Sequence, residues 1–270
     1  MLTCPEPYVA LAGRLADAAR GVVLRHFRQP LTVERKRDDS PVTIADREAE
    51  AAMRGLIAEA CPDHGIIGEE QGPERPEAEY VWVLDPLDGT KRFISGHAQF
   101  GTLVALLRRG EPVLGVIDMP VMEERWVGAA GRPTTHTDRR GVRTARVRAC
   151  PDPARAILFA TSPHMFPGDD FAAFERVRTR VAQPMYGSEC YAYGLLASGF
   201  IDLVIEATMG VYDFLPLVPV VAGAGGMITD WRGAPLDLGS DGRVIAAGDA
   251  RCHAAALGLL NAVHRDVTTP

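Results

Sequence analysis

Nowhere in its 270 residues does the chain carry the run of about 20 apolar residues that a membrane span needs. Its first residues hold neither a basic patch nor the apolar core of a secretion signal, so the expected location is the cytoplasm, away from any membrane. Cysteine is scarce. The five, Cys4, Cys61, Cys150, Cys190 and Cys252, are odd in number, widely separated and without a CxxC pair, which predicts reduced thiols and excludes a disulfide framework. The seven histidines include no HExxH or comparable pair, so a zinc or cobalt hydrolase would have to gather its ligands from isolated positions. A basic excess is also missing: 29 Lys and Arg stand against 35 Asp and Glu, for a net charge of −6. The basic residues are scattered, with no aromatic-lined stripe, which argues against nucleic acid and for a small-molecule partner.

What the chain does have is apolar residue, 47% of it, enough for one large unit or two packed lobes. Helical spacing marks 6–27, through Val9, Ala12, Leu15, Ala16, Ala19, Val22 and Val23, and again 45–60 up to Pro62. A short strand is expected at 31–34, ahead of a charged run at 34–39 that is too polar for a core. Strands are expected at 65–68 and 80–84, then an antiparallel meander at 101–107, 112–118 and 125–128. The Gly-, Thr- and Arg-rich stretch 129–143 predicts an exposed loop and a seam between lobes of roughly 1–148 and 149–270. Beyond it strands at 156–160, 184–186 and 201–206 alternate with helices at 169–181 and 190–198, the pattern of α/β layering. A helical segment from 215 breaks at Gly223-Ala224-Gly225-Gly226, before a strand at 227–229 and a last helix at 250–263.

The richest stretch is Val81-Trp82-Val83-Leu84-Asp85-Pro86-Leu87-Asp88-Gly89-Thr90. An apolar strand delivers Asp85 to its carboxyl end, where open sheets place ligands, and Pro86 is expected to turn the chain at once. Burying Asp85 is costly unless it is paired or metal-bound. Asp88 could cap the helix that Gly89 and Thr90 open, whose free N–H groups suit a phosphate. Carboxylates beside an anion site imply a cation, and an oxygen-only donor set favours a hard one such as Mg²⁺. Other acids also fall at element ends: Asp46, Glu69, Glu70 and Asp213. Spacing alone does not choose between Glu69 and Glu70, and Asp213 could be a plain helix cap.

Four segments taken together, Ser40-Pro41-Val42-Thr43-Ile44-Ala45-Asp46, Gly68-Glu69-Glu70, Trp82 through Thr90, and Tyr212-Asp213 with the later Gly-Ala-Gly-Gly, resemble the inositol monophosphatase superfamily of Mg²⁺-dependent, lithium-sensitive phosphatases. Tyr212 stands where that pattern usually has Trp. Within the superfamily, Lys91-Arg92-Phe93, Phe100-Gly101-Thr102-Leu103 and Glu124-Arg125-Trp126 look most like the histidinol-phosphate phosphatase branch. The resemblance implies an αβαβα sandwich of mixed and antiparallel sheets, a homodimer, and hydrolysis of L-histidinol phosphate with two or three Mg²⁺ per site. The alternatives it leaves are inositol 1-phosphate, fructose 1,6-bisphosphate and nucleotide 3′-phosphates.

Carried over by position, the resemblance makes Glu69, Asp85, the Leu87 carbonyl, Asp88 and Asp213 metal ligands. Asp46 and Thr90 match the pair that activates the attacking water, and Lys36, with Arg35 or Arg37 as substitutes, a basic position beside it. Gly89 and Thr90 would hold phosphate. Glu206 corresponds to the acid that grips the organic part of the substrate, and Gly187-Ser188-Glu189 to the wall of that pocket.

Overall fold

In the computed structural model, residues 3–30, 32–35 and 41–262 are described. The chain runs α1 (Glu6–His26), β1 (Glu34–Arg35), β2 (Pro41–Val42), α2 (Ile44–Ala60), β3 (Gly65–Gly68), β4 (Gly72–Glu74), β5 (Tyr80–Asp88), α3 (Thr90–Ile94), β6 (Gly101–Arg108), β7 (Glu111–Met119), β8 (Glu124–Ala129), β9 (Thr135–Asp138) and β10 (Gly141–Thr144). It continues through β11 (Ile157–Ala160), α4 (Asp169–Arg178), β12 (Gln183–Tyr186), α5 (Tyr191–Ala197), β13 (Leu203–Glu206), α6 (Val211–Phe214), α7 (Leu217–Gly223), β14 (Met227–Asp230), β15 (Val244–Ala247) and α8 (Ala250–Leu260). Two single-turn 3₁₀ helices, Pro153–Arg155 and Pro163–Met165, flank β11.

Two sheets carry the fold. The larger has eight strands in the order β10-β9-β8-β7-β6-β5-β3-β4, antiparallel throughout except for the β3/β5 pair. The smaller has the order β12-β11-β13-β15-β14, parallel around β11 and antiparallel around β15.

Period-two alternation sorts the side chains of each strand into separate cores. On β5, Trp82 and Leu84 join Leu15, Ala19, Met53 and Ile57 of α1 and α2, while Val81 and Val83 point the other way, into a core shared with Leu196, Val220 and Phe214. On β13, Val204 faces that same middle core, while Leu203 and Ile205 pack with Phe174 of α4 and Ala256 of α8. The layers are therefore α1/α2, the large sheet, α5–α7, the small sheet and α4/α8. This is the αβαβα sandwich expected, with its middle layer held between two sheets.

Close approach in that middle layer depends on glycine. A Cβ at Gly115 or Gly128 would collide with the Pro216 or Pro219 carbonyl, so the backbone of α7 rests directly on β7 and β8.

Several local expectations need correcting. The strand at 80–84 does not turn at Asp85; it continues to Asp88, with a register shift against β6 between those two residues. Pro86 is tolerated because a bulge frees it from the ladder, and the Thr102 hydroxyl takes its carbonyl. The stretch 129–143 is not a loop throughout. Thr135–Asp138 and Gly141–Thr144 form a hairpin on the edge of the large sheet, anchored by buried His136 stacked on Trp126 with ring centroids 4.1 Å apart. The strand at 31–34 reduces to a two-residue pairing at Glu34–Arg35, with residue 31 outside the described residues. The helix expected from 215 runs as α7, Leu217–Gly223, and a separate short helix, α6, precedes it at Val211–Phe214. Strands β4 and β15 were not anticipated.

No helix among the described residues is long and apolar enough to cross a membrane.

Candidate active site

Three carboxylates meet where β5 leaves the large sheet and α6 begins. One ligand oxygen from each of Asp85, Asp88 and Asp213 lies within 4.8 Å of the others. Asp85 is 1% exposed, its Oδ1 accepting the Leu87 N–H at 2.9 Å across the bulge. Asp88 does not cap α3: that place falls to Gly89, at φ 85°, where a side chain would be strained. Instead Asp88 Oδ2 accepts the Cys190 N–H at 2.7 Å, which ties the end of β5 to the start of α5. Asp213 sits inside the first turn of α6, its Oδ2 accepting the Gly210 N–H at 2.7 Å. It therefore caps the helix with one oxygen and leaves the other available.

Glu69 adjoins this group through a side-chain hydrogen bond with Asp85, whereas Glu70 turns its backbone N–H to Glu50. Burial first, then repulsion from Glu69, Asp88 and Asp213, pushes the Asp85 carboxyl well above the ordinary range, and Asp213 is raised by the same kinds of force. Desolvation also raises Asp88, against hydrogen bonds from Cys190 and Gly89. Buried acids that destabilise one another's charged forms, on oxygen-only ligands, fit a hard divalent cation. The Leu87 carbonyl lies beside them, 3.2 Å from the Thr90 hydroxyl.

Asp46 reaches the cluster from α2. Its Oδ2 accepts the Thr43 N–H at 2.8 Å and the Thr43 hydroxyl at 2.7 Å, and its Oδ1 accepts the Thr90 hydroxyl at 3.1 Å. Burial outweighs these bonds and leaves its carboxyl raised. Lys36 and Arg37 lie outside the described residues. Arg35 is described, at the end of β1.

Beyond the carboxylates opens a cavity of about 140 Å³, lined among others by Asp88, Asp213, Glu189, Tyr193, Met165 and Glu206. Glu206 ends β13 at 3% exposure. Its Oε1 accepts the Thr161 N–H at 3.0 Å and the Thr161 hydroxyl, and its Oε2 accepts the Tyr193 hydroxyl at 2.9 Å. Desolvation lifts its carboxyl to about 7. Glu189 is lifted to about 7 as well, by burial and then by Asp88, although Arg92 Nε lies 3.0 and 3.2 Å from its two oxygens. It lines the cavity as half of an ion pair with Arg92. Gly187 and Ser188 stand behind it, outside the cavity wall, in a turn where all three residues have positive φ. The Arg92 guanidinium packs where a Gly187 side chain would be.

Sequence reasoning missed Thr161, Tyr193 and Cys190. Thr161 had a signal, since it directly follows an expected strand. The roles of Tyr193 and of the Cys190 N–H depend on how α5 docks and had none.

A five-layered frame with a buried carboxylate cluster where β5 meets α6 defines the class of layered αβαβα proteins with a candidate metal centre. Residues 5–265 match the inositol monophosphatase family. The chain is 48% identical over 261 residues to the bifunctional phosphatase IMPL2, chloroplastic, of Arabidopsis thaliana, covering 93% of this chain and 74% of that protein. It is 31% identical to a histidinol-phosphatase of Chlorobaculum parvum, over 89% of this chain and 92% of that one. An inositol monophosphatase from Zymomonas mobilis superposes with a TM-score of 0.87 at 45% identity, over 95% of this chain and 98% of that one. The chain belongs to the inositol monophosphatase family and is a phosphatase.

Proposed function

We propose that the protein is a Mg²⁺-dependent phosphomonoesterase that hydrolyses L-histidinol phosphate to L-histidinol and inorganic phosphate. The observation that carries the substrate choice is Glu206, a buried carboxylate lining the cavity beside the phosphate end and oriented by Thr161 and Tyr193. A fixed acid at that place suits the ammonium of histidinol. Support also comes from the histidinol-phosphatases among the relatives, at 31% and 32% identity.

Glu69, Asp85, the Leu87 carbonyl, Asp88 and Asp213 would hold the cations. Bound Mg²⁺ supplies Lewis acidity at the phosphate and lowers the pKa of a coordinated water. Thr90 Oγ1, hydrogen-bonded to Asp46 Oδ1, would pass the proton of the attacking water to that carboxylate. Backbone N–H groups of Gly89 and Thr90 would orient phosphate oxygens as they gain charge. The Cys190 N–H keeps Asp88 facing the cavity.

Inositol 1-phosphate is the second reading, favoured by the 45% identity to the Zymomonas mobilis protein. A carboxylate such as Glu206 can also accept hydroxyl protons. Phosphate release measured side by side on purified protein separates the two. A higher kcat/KM for histidinol phosphate supports the proposal; a higher value for inositol 1-phosphate replaces it.

A further inference from the structure

We infer that Glu50 is a positioning residue for the cation site: its carboxylate grips the backbone directly behind Glu69 and so sets where the Glu69 side chain stands. This rests on the reading of Glu69 as a cation ligand. Glu50 lies one helical turn beyond Asp46 on α2, so the two carboxylates leave neighbouring points of one helix face. It is completely buried, at 0% exposure, and does not line the cavity.

Both of its oxygens are committed to the chain after Glu69. Oε2 accepts the Glu70 N–H at 2.8 Å, and Oε1 accepts the Gln71 N–H at 3.1 Å together with Arg54 Nε at 2.8 Å. Arg54 balances the charge and also donates to the Gly72 carbonyl. On the other side, the Glu69 N–H is bonded to the Leu84 carbonyl of β5 at 3.1 Å. Glu69 is therefore held between β5 and α2, with little freedom to withdraw from Asp85. Gly68 completes the arrangement, because a Cβ there would collide with the Glu50 carboxylate and with Arg54.

A buried Glu–Arg pair could simply support the fold. The two roles separate through cation affinity. Groups that orient a ligand change metal affinity roughly 10- to 100-fold when altered, whereas a purely structural group changes stability alone. Coupling is also reciprocal: if the grip on residues 70 and 71 favours the cation, the cation must tighten the grip.

The test is Mg²⁺ titration calorimetry on the full wild-type chain and on Glu50→Gln, with thermal melts of both in the absence of Mg²⁺. Glu50→Gln is expected to melt cooperatively and to bind Mg²⁺ at least about tenfold more weakly. Affinity within about twofold of wild type, with only the melt displaced, overturns the inference. Hydrogen exchange on the wild-type chain gives an answer even where the variant does not fold. Mg²⁺ should slow exchange of the Glu70 and Gln71 amides while leaving the Arg140 amide, bonded to Asp138 in an exposed turn, unaffected. Unchanged exchange at 70 and 71 overturns the inference. If the wild-type chain takes up no Mg²⁺, the metal reading itself fails, and this one with it.

Discussion

The Thr90 hydroxyl donates to Oδ1 of Asp46 at 3.1 Å, a bond between residues 44 positions apart that joins the first residue of α3 to the first turn of α2. Thr43 holds the other oxygen of the same carboxylate through both its N–H and its hydroxyl. Asp46 therefore has one oxygen fixed by its own helix cap and one turned toward Thr90, the residue proposed to stand beside the phosphate. Replacing it with Asn removes the proposed proton acceptor but keeps most of the size. Asp46→Asn should lower kcat by about 10²-fold or more, the usual scale for a positioned general base. Steady-state kinetics at saturating Mg²⁺ would reveal an unaltered kcat if Asp46 were only a cap.

Glu206 is predicted to act on binding. A hydrogen bond to a charged group contributes about 1.5–3 kcal/mol, so Glu206→Gln should raise KM for histidinol phosphate roughly tenfold or more. KM for a neutral phosphomonoester should change much less. Equal changes for the two substrates would show that Glu206 does not read the ammonium.

Acidity should weaken the site in a defined direction. Asp85, Asp88 and Asp213 have carboxyls raised above their ordinary values in the folded protein without metal. A raised acid favours the folded state below its unfolded pKa, and that contribution is lost as pH rises through the folded value. Raising the pH ionises these carboxyls against burial and their mutual repulsion, which a bound cation would relieve. The rise in melting temperature on adding Mg²⁺ should be larger at about pH 8 than at about pH 5.5, where protons compete for the same oxygens. Differential scanning fluorimetry at both values is sufficient; an increment independent of pH speaks against these carboxylates as the ligands.

Packing gives a prediction unrelated to catalysis. Gly128→Ala introduces a methyl group against the Pro219 carbonyl and the Val220 Cα, which are backbone atoms that cannot rotate away. Overpacking of this kind costs about 1–3 kcal/mol. The melting temperature should fall by several degrees, at roughly 2–4 °C per kcal/mol for a domain approaching this size. An unchanged melt would mean that α7 moves off β8 at little cost.

Much of this was legible because the periodicities are strong. Helices α1 and α2, the meander and the later strand–helix alternation follow from apolar spacing, and Asp85 stood out as a charge placed directly after five apolar or aromatic residues. Strand β15, Val-Ile-Ala-Ala, is too short and too alanine-rich to announce itself, and becomes a strand because Leu203–Glu206 and Met227–Asp230 pair with its two edges. The hairpin at Thr135–Asp138 was hidden by its polar composition, since the sequence gives no sign that His136 stacks on Trp126. Asp85 was placed correctly as buried but wrongly at a strand end, because a proline reads as a stop where a bulge lets the strand pass. The Arg92–Glu189 pair joins residues 97 apart and could be found only by folding the chain.

Asp88 is where the account can be tested most directly, because it touches the carboxylate cluster, the cavity and the Cys190 amide at once. The measurement is kcat of Asp88→Asn for phosphate release at saturating Mg²⁺, alongside its thermal melt. A kcat below a tenth of wild type, a loss of more than about 1.4 kcal/mol of transition-state stabilisation, with a cooperative melt retained, is the predicted result. Retention of more than a tenth of wild-type kcat would contradict a catalytic centre built on Asp85, Asp88 and Asp213.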